Sequence, residues 1–414
     1  MIKTLPPHLA VRPAIQALQP QLVQWRRQIH RLPELGFQEH RTNALIVSQL
    51  QAWGIPFVAG VAKTGIVATI QGKAKSSNRS SNCDSLVPLA RPQHPVLAIR
   101  ADLDALPIQE QNITDYRSQI DGLMHACGHD GHVAIALGTA AYLWQNRDRL
   151  AGTIKIIFQP AEEGPGGAKP MIEAGVLDGV DAIIGLHLWN NLPLGTVGLR
   201  SGALMAAVDL FDCSIYGRGG HGAMPHQTVD AIVVAAQVVN SLQTIVARNL
   251  DPLESGVVSI GKFQAGKAPN VIADQANLSG TVRYFSPRLA RLLPERLEQV
   301  IAGVCRSQGA TYALDYRHIY PAVINHPAIT NLVKQAAQTV VETDLAIVPE
   351  CQTMGGEDMS YFLQQVPGCY FFLGSANPAL NLDFPHHHPK FDFDETALSA
   401  GVEIFVRCAE TFCS

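Results

Sequence analysis

Apolar residues recur at near-helical spacing from Ala14 to Ile29, through Ile15, Leu18, Leu22, Val23 and Trp25. They do so again from Thr42 to Trp53, where Gly54 supplies a stop. The His30–Gly36 segment between these two predicted helices reads as a loop. Short apolar runs then take over. Gly65 to Ile70, Val96 to Arg100, Thr153 to Phe158 and Asp181 to Leu186 read as strands, with a helix from Val133 to Trp144 among them. This interleaving predicts an open α/β sheet. Three of the four strands run into acids or histidine: Asp102 and Asp104 follow the second, Glu162 and Glu163 the third, and His187 the fourth. Functional groups gather beyond the carboxyl ends of strands in such sheets, and core burial gives no reason for acids there.

From Met205 the rhythm changes to alternation through Val208, Leu210, Phe211 and Ile215. A glycine-rich segment, Gly217 to His226, leads into a long apolar helix from Val229 to Val246. Strands Val257–Phe263 and Asn277–Tyr284, helix Ala290–Val304 and strand Thr311–Ile319 complete the order strand-helix-strand-strand-helix-strand, that of a ferredoxin-like α+β unit. The expected organisation is therefore a catalytic domain over 1–203 and 321–414, carrying a doubly wound mixed sheet, interrupted by a satellite domain over 204–320. The tail predicts a helix from Ala328 to Glu342, a strand from Cys369 to Leu373 and a helix from Glu395 to Cys408. The Ser-, Asn- and Pro-rich stretch from Gln71 to Pro95 reads as a solvated, flexible insertion.

Composition narrows the function classes. The 414 residues are 47% hydrophobic, enough for a sizeable core, and the formal net charge of −4 leaves no basic footprint for nucleic acid. No uninterrupted apolar run reaches the ~20 residues of a membrane span. Met1 to Pro13 has prolines and no apolar h-region, which is not the composition of a secretory leader. The eight cysteines are scattered without a C-x-x-C pair, as expected of a reducing, cytoplasmic compartment.

The densest chemistry is Met124-His125-Ala126-Cys127-Gly128-His129-Asp130-Gly131-His132, with three histidines, a cysteine and an aspartate in nine positions. Thiolate and imidazole suit zinc or a first-row transition metal. Gly128 and Gly131 free the backbone to bring such side chains together. Adjacent Glu162 and Glu163 can divide two roles, because a carboxylate whose lone pairs are engaged by a metal is a poor proton shuttle. His386, His387 and His388 stand after a strand and before a helix, where a ligand could return to the site. Trp189, Phe384 and the Met205 region could line a pocket, but core packing explains them as well.

These motifs together resemble the M20 metallopeptidase superfamily, and within it the amidohydrolase branch of aminoacylase-like, hippurate and auxin-conjugate hydrolases and N-acetyldiaminopimelate deacetylases. The resemblance spans nearly the whole chain. It rests on Arg27…His30…Pro33-Glu34-Leu35-Gly36, Arg100 to Pro107, Met124 to Asp130, Gln159 to Gly164, Gly185-Leu186-His187, Gly219 to Ala223, Pro269-Asn270-Val271-Ile272, Gly355-Gly356-Glu357-Asp358 and His387-His388-Pro389-Lys390-Phe391. It implies two divalent ions, manganese or zinc first and cobalt or nickel as alternatives, held by Cys127, His129, Glu163, His187 and His387. His387 is taken because the family's tail ligand stands two residues before the proline. The resemblance further implies Glu162 as general base, Asp104 as an acid steadying the site, and His221 as a satellite-domain histidine at the oxyanion. Asn270, Arg283, Gly355 and Gly356 become substrate contacts. Metal ions ~3.5–4 Å apart would share and acidify a water. Glu162 would take its proton, and the hydroxide would attack the acyl carbon of an N-acyl amino acid.

The implied activity is hydrolysis of small N-acyl amino acids, with the satellite domain serving homodimerisation or closure. Three readings stay open at this level. Beside the amidohydrolase stand a dipeptidase or carboxypeptidase of the same superfamily, and a non-enzymatic metal-binding scaffold. The cysteine-containing cluster points away from the peptidase branches, which resemble an aspartate pattern there.

Overall fold

The structure is a computed structural model that describes residues 9–74, 94–341, 343 and 346–413. Most of the polar stretch between Gln71 and Pro95 lies outside the described residues. The chain divides into two compact units: Met1–Leu204 with Ile324–Gln352 and Asp358–Ser414, and Met205–Val323 with Thr353–Glu357.

The first unit is built on an eight-stranded mixed sheet in the order Phe57–Val61, Gly65–Gln71, Thr153–Gln159, Val96–Asp102, Ala182–Pro193, Gly368–Ala376, Val197–Gly198, Ile347–Val348. The third to sixth of these run parallel. The first two add an antiparallel flank. Gly368–Ala376 is buried at every position, as a central strand covered on both faces must be. The strand read from Asp181 to Leu186 in fact continues to Pro193, so His187 lies inside it. Its neighbour Gly368–Ala376 pairs with it through Trp189 and again at Pro193, carrying it past Asn190 and Asn191.

The opening helix is split. Pro13–Gln16 gives way to Gln19–Arg31, restarted by Pro20 in its first turn. The helix expected from Val133 begins earlier, at His129, and runs to Gln145. It starts where Gly128 turns left-handed at φ 95°. Because its residues from His129 to Leu143 are all buried, it has no polar face to mark its beginning. Small residues let it sit close to its neighbours: a Cβ on Gly138 would stand 2.5 Å from Leu22 Cδ2, and one on Gly131 2.5 Å from Leu188 Cδ1.

The second unit is a four-stranded antiparallel sheet in the order Gly256–Ala265, Gln275–Tyr284, Ala207–Tyr216, Thr311–Tyr320. With helices Ala231–Asn249 and Pro287–Ser307 between them, these strands have the ferredoxin-like connectivity. Asp230 caps the first helix by accepting the Ile232 N–H at 2.9 Å. That helix has the length and composition of a membrane span. Its Val234, Val238, Leu242 and Ile245 are nonetheless packed into the core of this unit.

Candidate metal centre

Strand ends and one helix start converge in the first unit. Val96–Asp102 delivers Asp102 and, two residues on, Asp104, both buried. Thr153–Gln159 leads through Pro160 and Ala161 to Glu162 and Glu163. His187 comes from within Ala182–Pro193, and Cys127 and His129 flank the glycine that opens the buried helix. Two residues at or beside the proposed ligands are held in the left-handed region without being glycine: Ala161 at φ 56° and His387 at φ 64°. Each such residue costs about 1–3 kcal/mol and persists where the surroundings impose it. The His387 N–H donates to the Ala126 carbonyl at 2.8 Å, which ties the tail to the Cys127 loop.

Several triplets of ligand atoms result, and two of them share Cys127. Cys127, His129 and His187 form one, and Cys127, Glu163 and His387 the other; within each triplet the atoms lie within 4.8 Å of one another. The thiol sulfur is common to both, 3.4 Å from His187 Nε2. His387 Nε2 lies 3.1 Å from Glu163 Oε1. The two buried histidines have their rings set for coordination. His129 Nδ1 donates to the Asp104 carbonyl at 2.9 Å and His187 Nδ1 to the Leu188 carbonyl at 2.6 Å. A ring whose Nδ1 carries the proton presents a bare Nε2 lone pair, the arrangement metal-binding histidines adopt. His129 Nε2 has no hydrogen-bond partner among the described residues. It lies 3.7 Å from Asp102, and 4.0 Å from each of Glu162 and Glu163.

His132 and His386 are engaged otherwise. The His132 Nδ1–H donates to Asp102 at 2.6 Å while its Nε2 accepts the Leu188 N–H at 2.9 Å. His386 Nε2 donates to the Leu188 carbonyl at 2.9 Å, and its ring stacks on Trp189 at 4.5 Å. Trp189 also stacks on Phe372 at 4.2 Å. Its ring is therefore sandwiched rather than open to a ligand. His388 is half-buried against the ring of Phe384.

The electrostatics favour positive charge at this site. Burial, then Glu163 and Glu162, push the Cys127 thiol well above its usual range, so a thiolate there needs positive charge beside it. Burial opposes charge on His129, but Asp102 and Asp104 outweigh it and bring the ring up to about 10. Burial, followed by the neighbouring His132, holds His187 well below the usual imidazole range, which keeps it a neutral donor. A thiolate, three imidazoles and a carboxylate around buried acids fit transition-metal or zinc binding rather than magnesium or calcium.

Around these donors lies a layer that sequence reasoning assigned only in part. Asp104 accepts the backbone N–H groups of Glu162 at 2.9 Å and Glu163 at 3.0 Å. It thus fixes both glutamates as well as His129. Asp102, Arg100, Gln159 and Asp358 form a fully buried chain. Arg100 donates to Gln159 at 2.8 Å, Asp102 at 2.7 Å and Asp358 at 2.9 Å. Asp358 also accepts the Ala168 N–H at 2.9 Å. Farther out, Arg26 is wholly buried and faces Asp130 at 2.8 Å, Asp392 at 2.6 Å and Glu395 at 3.2 Å. His30 donates to the same Asp130 oxygen at 2.8 Å. In the sequence, Arg100, Asp102, Asp104, Gln159 and Asp358 of this layer stand in the motifs that carry the resemblance, whereas Arg26 shows only as charge within a predicted helix.

In the second unit, His221 is exposed on the short strand Gly220–His221. This strand pairs with Val271–Ile272 next to Asn270. The Asn270 carbonyl accepts the Gly222 N–H at 2.8 Å. Gly355 and Gly356 pack on strand Ala207–Tyr216: the Gly355 carbonyl accepts the Ala206 N–H at 2.9 Å, and a Cβ on Gly356 would meet Val208 Cγ2 at 2.0 Å and Arg283 Nη1 at 3.3 Å.

The wider resemblance of the chain agrees with this chemistry. Over 393 residues it is 37% identical to thermostable carboxypeptidase 1 of Saccharolobus solfataricus, covering 94% of each chain. Over 317 residues it is 43% identical to N-acyl-L-amino acid amidohydrolase of Geobacillus stearothermophilus, covering 76% of this chain and 81% of that one. The fold matches the crystal structure of a dinuclear metal-binding M20 peptidase from Bacillus subtilis with a TM-score of 0.80 and 36% identity, over 96% of this chain and 99% of that one. Residues 98–411 match the model of peptidase family M20/M25/M40, and the chain belongs to that family.

Proposed function

We propose that the protein is a metal-dependent amidohydrolase that cleaves N-acyl amino acids into a carboxylate and a free amino acid. The observation that carries this reading is the pair of ligand triplets sharing the Cys127 sulfur, with Glu162 beside the ligand Glu163. Cys127, His129, Glu163, His187 and His387 are the proposed ligands of two divalent ions, manganese or zinc before cobalt or nickel. When bound, the ions supply Lewis-acid polarisation and an acidified water.

The chain's own residues do the rest. Glu162 takes the proton-transfer role because Glu163 takes the ligand role. It accepts the proton of the attacking water at its carboxylate and returns it to the departing amine nitrogen. Asp104 keeps both glutamates in register through their backbone amides. Its carbonyl fixes the His129 tautomer. For the second unit, we assign substrate contact to His221, Asn270, Arg283, Gly355 and Gly356, to be tested by the effect of His221→Ala on kcat and of Arg283→Ala on KM.

The second unit also leaves an edge strand, Gly256–Ala265, and exposes Ile232, Val233 and Phe263. This supports a homodimer formed through that unit, which light scattering of the purified protein tests. Cysteine usage supports a cytoplasmic location.

The deciding assay offers the manganese- or zinc-reconstituted protein a panel of N-acetyl and N-benzoyl amino acids with free dipeptides beside them. Amino-acid release from the acyl panel, abolished by chelator and by Glu162→Gln, is expected. Release from dipeptides alone would move the protein to the peptidase activity of its Saccharolobus relative, and full turnover by Glu162→Gln would remove that residue from the mechanism.

A further inference from the structure

The loop that carries Glu162 and Glu163 is held by its backbone. Ala161, Glu162 and Glu163 present three successive N–H groups, and each donates to a buried carboxylate. Asp104 takes the second and third. The first goes to Glu39 Oε1 at 2.9 Å. Glu39 comes from a different part of the chain, 122 residues earlier. Its other oxygen accepts the Thr64 hydroxyl.

Glu39 is fully buried, and it forms no salt bridge to lysine or arginine among the described residues. A buried carboxylate without a cation is expensive. Glu39 stands at the N-cap of helix His40–Trp53, yet its side chain does not cap that helix. What it does hold is Ala161, the fully buried residue at φ 56° immediately before Glu162. The same segment has been cut away to reach that backbone: a Cβ on Gly36 would stand 2.8 Å from Ala161 Cβ. Gly36 and Glu39 thus act on one target.

We infer that Glu39 is a positioning residue for the hydrolytic reaction: by holding the Ala161 amide it keeps the backbone left-handed and so sets the direction in which Glu162 presents its carboxylate. The inference rests on Glu162 being the general base. It does not require Glu39 to touch substrate or metal.

Glycine adopts positive φ without steric cost, whereas alanine needs the clamp. This gives a test that a merely structural role would not pass. Glu39→Met fills the same space without an acceptor. It is expected to lower kcat by about a hundredfold, as small misplacements of catalytic groups do, with KM and metal content unchanged. Adding Ala161→Gly to Glu39→Met should restore most of the lost kcat. Glu39→Gln, which keeps an acceptor for the amide, should retain most of the activity.

A loss in Glu39→Met that Ala161→Gly does not relieve would overturn the inference. So would unchanged kcat in Glu39→Met alongside an inactive Glu162→Gln. Should Glu39→Met not fold, the comparison is made with Glu39→Asp, whose shorter side chain withdraws the acceptor from the Ala161 amide; a lowered kcat relieved by Ala161→Gly supports the clamp, and an unchanged or unrelieved kcat overturns it. A fully active Glu162→Gln would instead remove the general-base reading on which the inference stands.

Discussion

Replacing Arg26 by methionine tests how much of the first unit's stability passes through one buried charge. The guanidinium is wholly buried against Asp130, Asp392 and Glu395, between the rings of Tyr116 at 4.9 Å and Phe393 at 4.5 Å. Methionine keeps the apolar stem and leaves Asp130 with His30 and Asp392 with the Tyr116 hydroxyl as remaining partners. Removing one member of a buried ion network costs about 3–5 kcal/mol, because the other members stay buried without the charge that offset theirs. That is a large share of a typical total of about 5–15 kcal/mol.

The penalty should also depend on pH. In the native protein, burial works against the charge on Asp130 and Asp392, but Arg26 outweighs it and holds both below the usual carboxylate range. Their contribution is present above the unfolded value of about 4 and is lost as pH falls through the folded values. Without Arg26 the same burial raises them, so the folded variant binds protons that the unfolded chain does not. Acidification then stabilises the variant by up to about 1.4 kcal/mol per pH unit for each proton taken up. All four tryptophans, Trp25, Trp53, Trp144 and Trp189, lie in the first unit, so urea unfolding followed by their fluorescence reports that unit. A loss under about 1 kcal/mol at pH 7.5, far below that for a broken buried pair, or a gap between the proteins that widens between pH 7.5 and pH 5.5, would refute the reasoning.

Other consequences are as direct. Cys127→Ala removes the sulfur common to both ligand triplets, so metal content measured by elemental analysis should fall at both positions together; retention of both metals would end its ligand role. Thiolate coordination should also slow inactivation by peroxide, and equal rates for metal-free and metal-loaded protein would argue against it. His387→Ala should lose metal and activity while His388→Ala, altering a ring stacked on Phe384, should keep both; the reverse result would move the ligand one residue along.

The parts of the site that the sequence made legible were those announced by local contrast. Acids and a histidine at the ends of apolar runs stood out because nothing in a buried strand calls for them, and the Cys127–His132 cluster stood out by density. The start of the His129 helix was hidden because helices buried all round have no polar face to set a period. The strand through His187 runs beyond its apolar stretch because pairing with Gly368–Ala376 carries it past Asn190 and Asn191, and that pairing leaves no local signature. The holding layer was the least legible. Arg26 meets Asp130 across 104 residues and Glu39 meets Ala161 across 122, and no local pattern encodes contacts between segments so far apart. Of the histidine triplet, sequence offered only a register; the structure shows His386 spent on the Leu188 carbonyl.

Chain order gives the central sheet a timetable. Ala182–Pro193 is synthesised before the second unit, yet its parallel partner Gly368–Ala376 comes after it. As the chain leaves the ribosome, the second unit has all four of its strands in hand while the first still waits for an inner strand. Domains tend to fold as units during synthesis, so the inserted unit should mature first and the strand bearing His187 should stand with one edge bare. His387 arrives later still. A nascent chain released before the tail emerges would have four of the five proposed ligands and no second triplet, which makes metal capture a late checkpoint on the finished chain.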